Sequence, residues 1–432
     1  MARTFSAYSV YWYDTTVTPP VGHGMAGRIV DTGSAIGAQP SMRTGLNGDP
    51  RIEGFTDAAN NLRIAVTDRV ANTQRPVYIH DATTGAEVSG KSPQSWLEGN
   101  LYTLVKLNGY LYAIDYDNAK VIEINASTYA ATGVTYSLAI SNPGLIPSGY
   151  QAIGQALIVA NNALYGLFAF PDSTWSTYAN SLLVRFDISG SGTSRAITVV
   201  ESNSYIEKNA FSIAYANSNF YIASIGGKQN PSGSGSYNPN SKIQSIPVSF
   251  SSTTSPTTEM SPSGTFPYEF RDISFSSTKA YILAGAYDSN WQLEGKLISV
   301  DASTFTNPTL IDGFPATPGP DATAVGYLWS AQYTLDSNRV WFARGNAIRV
   351  YDASNNALVA TLTVTAGSLI AQGDLYTNIN DLTYVGAAAS VSLRGYRSPL
   401  QRANTPFAHA ARALTRGRPE LTEEERQQIL RS

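Results

Sequence analysis

The chain has 432 residues with only 14% charged side chains, 35 Gly, 22 Pro, 26 Tyr and no cysteine. It is long enough for a sizeable core and must cover its surface largely with Ser, Thr, Asn, Gln and Tyr. The missing cysteines exclude disulfides, thiolate metal sites and cysteine nucleophiles, and three histidines (His23, His80, His409) leave little for a His-based zinc site or triad. A net charge of −3 argues against nucleic acid as a partner, and no apolar run approaches the roughly 18 residues of a membrane helix.

The first fourteen residues, MARTFSAYSVYWYD, alternate aromatic and polar positions and carry neither an apolar h-region nor a small-residue cleavage site. They predict a strand, not a signal peptide. A charge-poor, Ser/Thr/Asn/Tyr-rich surface nevertheless suggests an extracellular, cell-surface or virion-associated setting. Three routes would reconcile the two: a removed leader, another export path, or assembly in the cytoplasm into a particle exposed later.

From residue 77 onward one unit recurs, apolar–x–apolar–Asp/Asn followed by a Ser/Thr/Gly turn. It reads Val77-Tyr78-Ile79-His80-Asp81-Ala82-Thr83-Thr84-Gly85, then Ile122-Glu123-Ile124-Asn125-Ala126-Ser127-Thr128, then Val184-Arg185-Phe186-Asp187-Ile188-Ser189-Gly190. A degenerate copy spans Ile243 to Ser249, and cleaner ones are Leu297-Ile298-Ser299-Val300-Asp301-Ala302-Ser303 and Ile348-Arg349-Val350-Tyr351-Asp352-Ala353-Ser354. Anchored at 80, 125, 187, 247, 301 and 352, the intervals are 45, 62, 60, 54 and 51 residues, and a weak copy follows at Val391-Ser392-Leu393-Arg394.

Ahead of each anchor lies a strand–turn–strand pattern. Leu101 to Val105 turns through Asn108-Gly109 into Tyr110 to Ile114; Ala156 to Ala160 turns through Asn161-Asn162; Phe211 to Tyr215 turns through Asn217-Ser218-Asn219. Asn-Gly between apolar runs is a strong hairpin signal. Each unit therefore offers four short strands, A to D, and helical periodicity is essentially absent before residue 400. Four-stranded units of this size, repeated six or more times, predict an all-β β-propeller, because radial stacking buries both faces of blades that could not bury them alone. Two β-sandwich domains would not explain the unbroken A-B-C-D order. Seven blades are expected, with six or eight as alternatives, and the strand Phe5 to Tyr13 would supply the fourth strand of the last blade. The domain reading is a propeller over 1–397 and an Arg-rich linker with a short helix over 398–432.

Over residues of about 55–395 the chain resembles the bacterial propellers that include quinoprotein-like and surface-layer-type repeats. The matching residues are the Asp-x-x-Thr/Ser turns, such as Asp81-Ala82-Thr83-Thr84-Gly85. The resemblance is one of architecture only. There is no Trp-Asp dipeptide, a single Gly-Gly pair (Gly226-Gly227), and only Trp96 at a spacing suited to quinoprotein docking, so no cofactor is implied.

The recurring Asp81, Asp187, Asp301 and Asp352 could form a carboxylate ring, but Asn125 and Pro247 occupy the same slot, which suits Asx-turns better than catalysis. Asp115-Tyr116-Asp117-Asn118 has the flavour of a calcium loop yet lacks its Gly and distal Glu, so it reads as a tight turn. His80 beside Asp81 and His23 in a Gly-rich loop have no third residue for a relay. No catalytic, metal or cofactor signature stands out.

Loop length is the informative feature. Long B–C insertions are expected at Phe170 to Asn180, Gly226 to Asn240 and Ala286 to Gly295, in three consecutive units and hence on one sector of one face. They carry Trp175, Tyr178, Tyr237, Tyr287 and Trp291, aromatics in polar loops that suit glycan stacking or protein recognition. The alternative is that these rings fold back and pack over the blade ends.

The tail differs in kind. Residues 394–431 hold eight Arg and four Glu, a charge of +4, so the rest of the chain carries −7. Thr422 and Glu425 form a capping box that opens a short helix ending in Ile429 and Leu430. Arg412, Arg416, Arg418, Ile429 and Leu430 would dock on the propeller or on another subunit, unless the tail is simply solvated. The reading is a non-catalytic binding or scaffold propeller of an exposed surface, with a protein or glycan partner. A structural or adhesion component of a virion is one version. The rival is a propeller hydrolase or lyase, which requires a cluster of perturbed carboxylates at the axis, whereas the binder requires an aromatic platform.

Overall fold

The computed structural model describes residues 4–14, 21–32, 35–46, 50–67, 75–227, 238–263, 266, 268–276, 278–287, 293–314, 331–334, 339–344, 347–363 and 378–385. They form seven four-stranded antiparallel sheets arranged as a propeller. Blades 1 to 6 begin with inner strands Arg51–Thr56, Leu101–Leu107, Ile153–Ala160, Ala210–Ala216, Glu269–Phe275 and Ala331–Thr334, and each adds strands B, C and D outward in chain order. The hairpins form where the sequence points: Asn108-Gly109, Asn161-Asn162 and Asn217-Ser218 all take positive φ at both central residues, the type I′ geometry that matches strand twist.

Blade 7 closes the ring. Its inner strand is Asn378–Val385, and its outer three are Thr4–Asp14, Val21–Asp31 and Ile36–Leu46. Distant parts of the chain thus share a sheet, with Phe5 opposite Val385 and Tyr11 opposite Asn378. The N-terminal region gives three strands rather than the one expected, and its first strand lies second from the axis. The Val391 to Arg394 copy and the whole tail, with Arg412, Arg416, Arg418, Ile429 and Leu430, lie outside the described residues.

The core is a set of seams. Apolar clusters join blades 1 and 2 (Phe55, Leu104, Ile122), 2 to 4 (Tyr136, Leu167, Phe220), 4 and 5 (Ile243, Ile282), 5 and 6 (Leu283, Phe342), 6 and 7 (Trp341, Ile29), and 7 and 1 (Leu46, Ile64). Burial on both faces of each sheet is what makes the closed ring stable.

Blades are also latched at their inner ends. Register shifts leave Tyr102, Gln155, Phe211 and Arg271 as bulged residues at matching positions of four inner strands. In three of these blades the residue before the bulge donates its N–H backward: Gly154 to the Tyr116 carbonyl (3.0 Å), Ala210 to Ser181 Oγ (2.9 Å) and Phe270 to Ser241 Oγ (2.8 Å). A side chain at Gly154 would meet Ile114 at 2.6 Å, so only glycine permits that approach.

The C–D turns explain the recurring anchor. Asp81 Oδ1 accepts the N–H groups of Thr83 and Thr84, Asn125 Oδ1 those of Ser127 and Thr128, and Asp352 Oδ1 that of Ser354. The backbone repeats as well, with the fourth residue after Asp81, Asn125, Asp301 and Asp352 donating to that residue's carbonyl from positive φ: Gly85, Tyr129, Phe305 and Asn356. These Asp and Asn side chains fix turns.

Candidate functional site

The face that carries the B–C hairpins also carries the D-to-A connections. In blade 3 the hairpin is tighter than its sequence suggests, since strands B and C extend to Ala163–Pro171 and Tyr178–Ser189 and leave only residues 172–177 as a loop. Asp172 organises that loop. Its carboxylate accepts the N–H and hydroxyl of Thr174 (3.0 and 2.9 Å), of Ser176 (2.9 and 2.9 Å) and of Thr177 (3.2 and 2.7 Å). These donors, the Thr177 hydroxyl foremost, hold its carboxyl far below the usual carboxylate range.

Trp175 sits at the tip with φ +60°, a conformation that disfavours a bulky side chain and persists because the turn dictates it. Its half-buried ring lies nearly parallel to Tyr116 of blade 2, centroids 6.4 Å apart. Tyr116 stacks on Tyr102 at 4.1 Å, and the Arg51 guanidinium lies 5.4 Å from the Tyr102 centroid. A cation–aromatic ladder therefore runs from the inner strand of blade 1, through blade 2, to the loop tip of blade 3.

Beside it runs the connection from blade 2 to blade 3, with a short helix Leu138–Ser141 and a 3-10 turn Pro143–Leu145. Ile140 is 83% exposed, while Leu145, Ile146 and Tyr150 pack partly on the same core as Trp175. Tyr150 pairs with Asp172 across an isolated bridge, which ties the connection to the loop. Sequence reasoning missed this segment, since its apolar residues follow neither strand nor helix period.

Of the expected binding residues, Trp175 belongs to this surface. Tyr178 does not offer a solvent-facing ring; it is buried as the first residue of strand C, where its N–H donates to Gly227 O (3.0 Å). Tyr287 ends a strand paired with Leu293, so the strands of blade 5 run into both ends of the expected insertion. Tyr237 and Trp291 lie outside the described residues.

The acids and histidines sort differently. Asp115 Oδ2 accepts the Gly99 N–H (2.7 Å), and Asp117 Oδ2 accepts the N–H and side-chain amide of Asn100 (3.1 and 2.9 Å), so this turn fastens the connection from blade 1. His80 is buried, with Nδ1–H donating to Gly85 O (3.0 Å), and burial keeps its pKa below the ordinary value. Among the described residues, no group of three or more His, Asp or Glu is placed to hold a metal ion. The inner strands carry Glu53 in blade 1, Glu269 and Asp272 in blade 5, and Asp381 in blade 7. Complete burial pushes Glu269 up while the paired Arg271 guanidinium opposes it, and Asp272 accepts the Ser212 hydroxyl (2.6 Å) from blade 4.

No protein-family profile matches this sequence, and no curated protein does. The fold does have solved counterparts. A 6-phosphogluconolactonase candidate from Bacteroides fragilis superimposes with a TM-score of 0.53 at 10% identity, over 89% of this chain and 98% of that one. A second such candidate, from Bacteroides uniformis, gives 0.54 at 10% identity, over 89% and 100%. At this identity the likeness is one of fold, a β-propeller.

Proposed function

We propose that this propeller is a binding or scaffolding protein that engages a protein or glycan partner through the B–C face of blades 2 and 3. The observation that carries the reading is Trp175, held in a strained conformation by a dedicated turn, with the exposed Ile140 on the connection that is bridged to that turn. Strain retained at a rigid surface tip points to use of that side chain. The commitment of Glu269 to Arg271 and of Asp272 to Ser212 favours binding over acid–base chemistry at the axis. The charge-poor surface suits an exposed setting, such as a cell surface or a virion.

The test is proximity labelling in the native setting together with a glycan array, comparing the natural chain with an Ile140→Asp, Trp175→Ala double variant. Capture of the partner should fall at least about tenfold, the loss of one apolar anchor. Ile140→Asp should leave stability within about 0.5 kcal/mol, and Trp175→Ala should cost about 1–2 kcal/mol for its half-buried ring. Unchanged capture by the folded double variant would remove this face from the reading.

A further inference from the structure

Asp187 departs from its repeat. Asp81, Asn125, Asp301 and Asp352 each end strand C of their blade, where the side chain can reach the turn that follows. In blade 3 strand C runs two residues further, to Ser189, and Asp187 lies within the ladder opposite Thr198. The chain turns only afterwards, through the 3-10 turn Gly192–Ser194. Asp187 is exposed, and among the described residues nothing donates a hydrogen bond to its carboxylate.

That residue borders a cleft of about 450 Å³ between blades 2 and 3, on the face where the A–B and C–D turns emerge. The volume falls in the range of small-ligand sites. Asn108 and Asn162, at the tips of two A–B hairpins, and Arg185 also line it; all three are exposed, and their side chains make no hydrogen bond or ion pair among the described residues. Arg195 is held in place at the cleft wall. Its Nε–H donates to the fully buried Glu123 (2.6 Å), a terminal N–H donates to the Tyr112 hydroxyl (3.0 Å), and the guanidinium lies over the Tyr110 ring at 4.2 Å. These contacts fix its plane and use two of its five N–H groups, leaving three. Leu164 and Phe186 are buried behind the wall, so the apolar surface that a guest can reach is the half-buried Ala163 and Val200, which a bulge in strand D leaves unpaired and 48% exposed.

Arg185 and Arg195 are matched in charge by Asp187 and Glu123, so the cleft does not select an ion by net charge. It offers instead a free carboxylate acceptor, guanidinium donors and two amides around a small apolar patch. A ring of hydroxyls matches that set, because each hydroxyl both donates and accepts. We infer that the cleft binds a neutral pyranose unit of a glycan, with its hydroxyls shared among Asp187, Arg195 and the two Asn amides and its C–H side on Val200 and Ala163. The site lies on the face opposite to Trp175 and does not depend on the reading proposed for that surface.

Saturation-transfer NMR on the full chain tests this, with the methyl glycosides of glucose, mannose, galactose and N-acetylglucosamine as probes and with glycerol and methyl glucuronide as controls. At least one neutral pyranoside should show transfer at millimolar concentration, and glycerol should not. Asp187→Ala removes the acceptor and should weaken that sugar at least about tenfold. Val200→Trp fills the opening and should abolish the signal. Both positions are exposed, so both variants should keep the thermal midpoint of the natural chain. No transfer from any neutral pyranoside, equal transfer from glycerol, tighter binding of the glucuronide, or transfer that survives either folded variant overturns the inference.

Discussion

Arg63 stands between two carboxylates and a phenol. It pairs with Asp81 and, at 3.2 Å, with Asp57, while its Nε meets the Tyr129 hydroxyl. Burial would raise both acids; for Asp57 the Asn61 and Tyr129 hydrogen bonds and the Arg63 charge win, and for Asp81 the Thr84 N–H and Arg63 do, so both are held below the ordinary value. A carboxylate with a depressed folded pKa adds stability that is complete above its unfolded value and vanishes as pH falls through the folded one. The thermal midpoint should therefore decline below about pH 4, and Arg63→Met should cost about 3 kcal/mol at neutral pH and flatten that acid limb. An acid limb of unchanged slope in the variant would dismiss the cluster as its source. At this scale Asp81 and Asn125 were legible in the sequence as turn formers, because an Asx-turn is encoded within a few residues. Arg63 was not, because its partners Asp57 and Tyr129 come from two blades.

The C–D turn is the element that ties blade to blade. It ends in a residue at positive φ whose side chain, in Tyr129 and Phe305, is delivered into the seam. Tyr129→Ala should cost about 3–5 kcal/mol by opening a cavity, and Tyr129→Phe about 1–3 kcal/mol by stripping the hydroxyl from Asp57 and Arg63. Denaturant unfolding measures both, and equal losses would show that the ring contributes nothing beyond its hydroxyl. The sequence announced the turns but misjudged the B–C hairpins of blades 3 and 5 as loops. There the strands run on past the apolar core, and polar residues such as Asn180 occupy exposed strand positions that read as loop. Tyr178 was mistaken for a loop aromatic for the same reason.

For the whole molecule, the repeat made the propeller and its blade number readable, since four-stranded units of similar length admit few other arrangements. The closure was half readable. The alternating stretch at residues 4–14 announced a strand, but its place beside the inner strand depends on pairing with Asn378–Val385, which no local pattern encodes. Deleting residues 1–46 would leave that inner strand without its sheet and open the seams to blades 6 and 1. Unfolding should lose its single sharp transition, and size-exclusion chromatography should show aggregates that the full chain does not form. A sharp transition without aggregation in the truncated chain would mean that six blades suffice.

The closure also imposes an order of events during synthesis. Strands Thr4–Asp14, Val21–Asp31 and Ile36–Leu46 leave the ribosome ahead of the other described strands, yet the strand that pairs with Thr4–Asp14 begins only at Asn378. Through most of translation that edge stays open, able to pair with the same edge of a neighbouring nascent chain. Sister chains on one polysome are thus the competitors that the last blade must outpace, and slowing elongation late in the message should lower the yield of correctly closed rings.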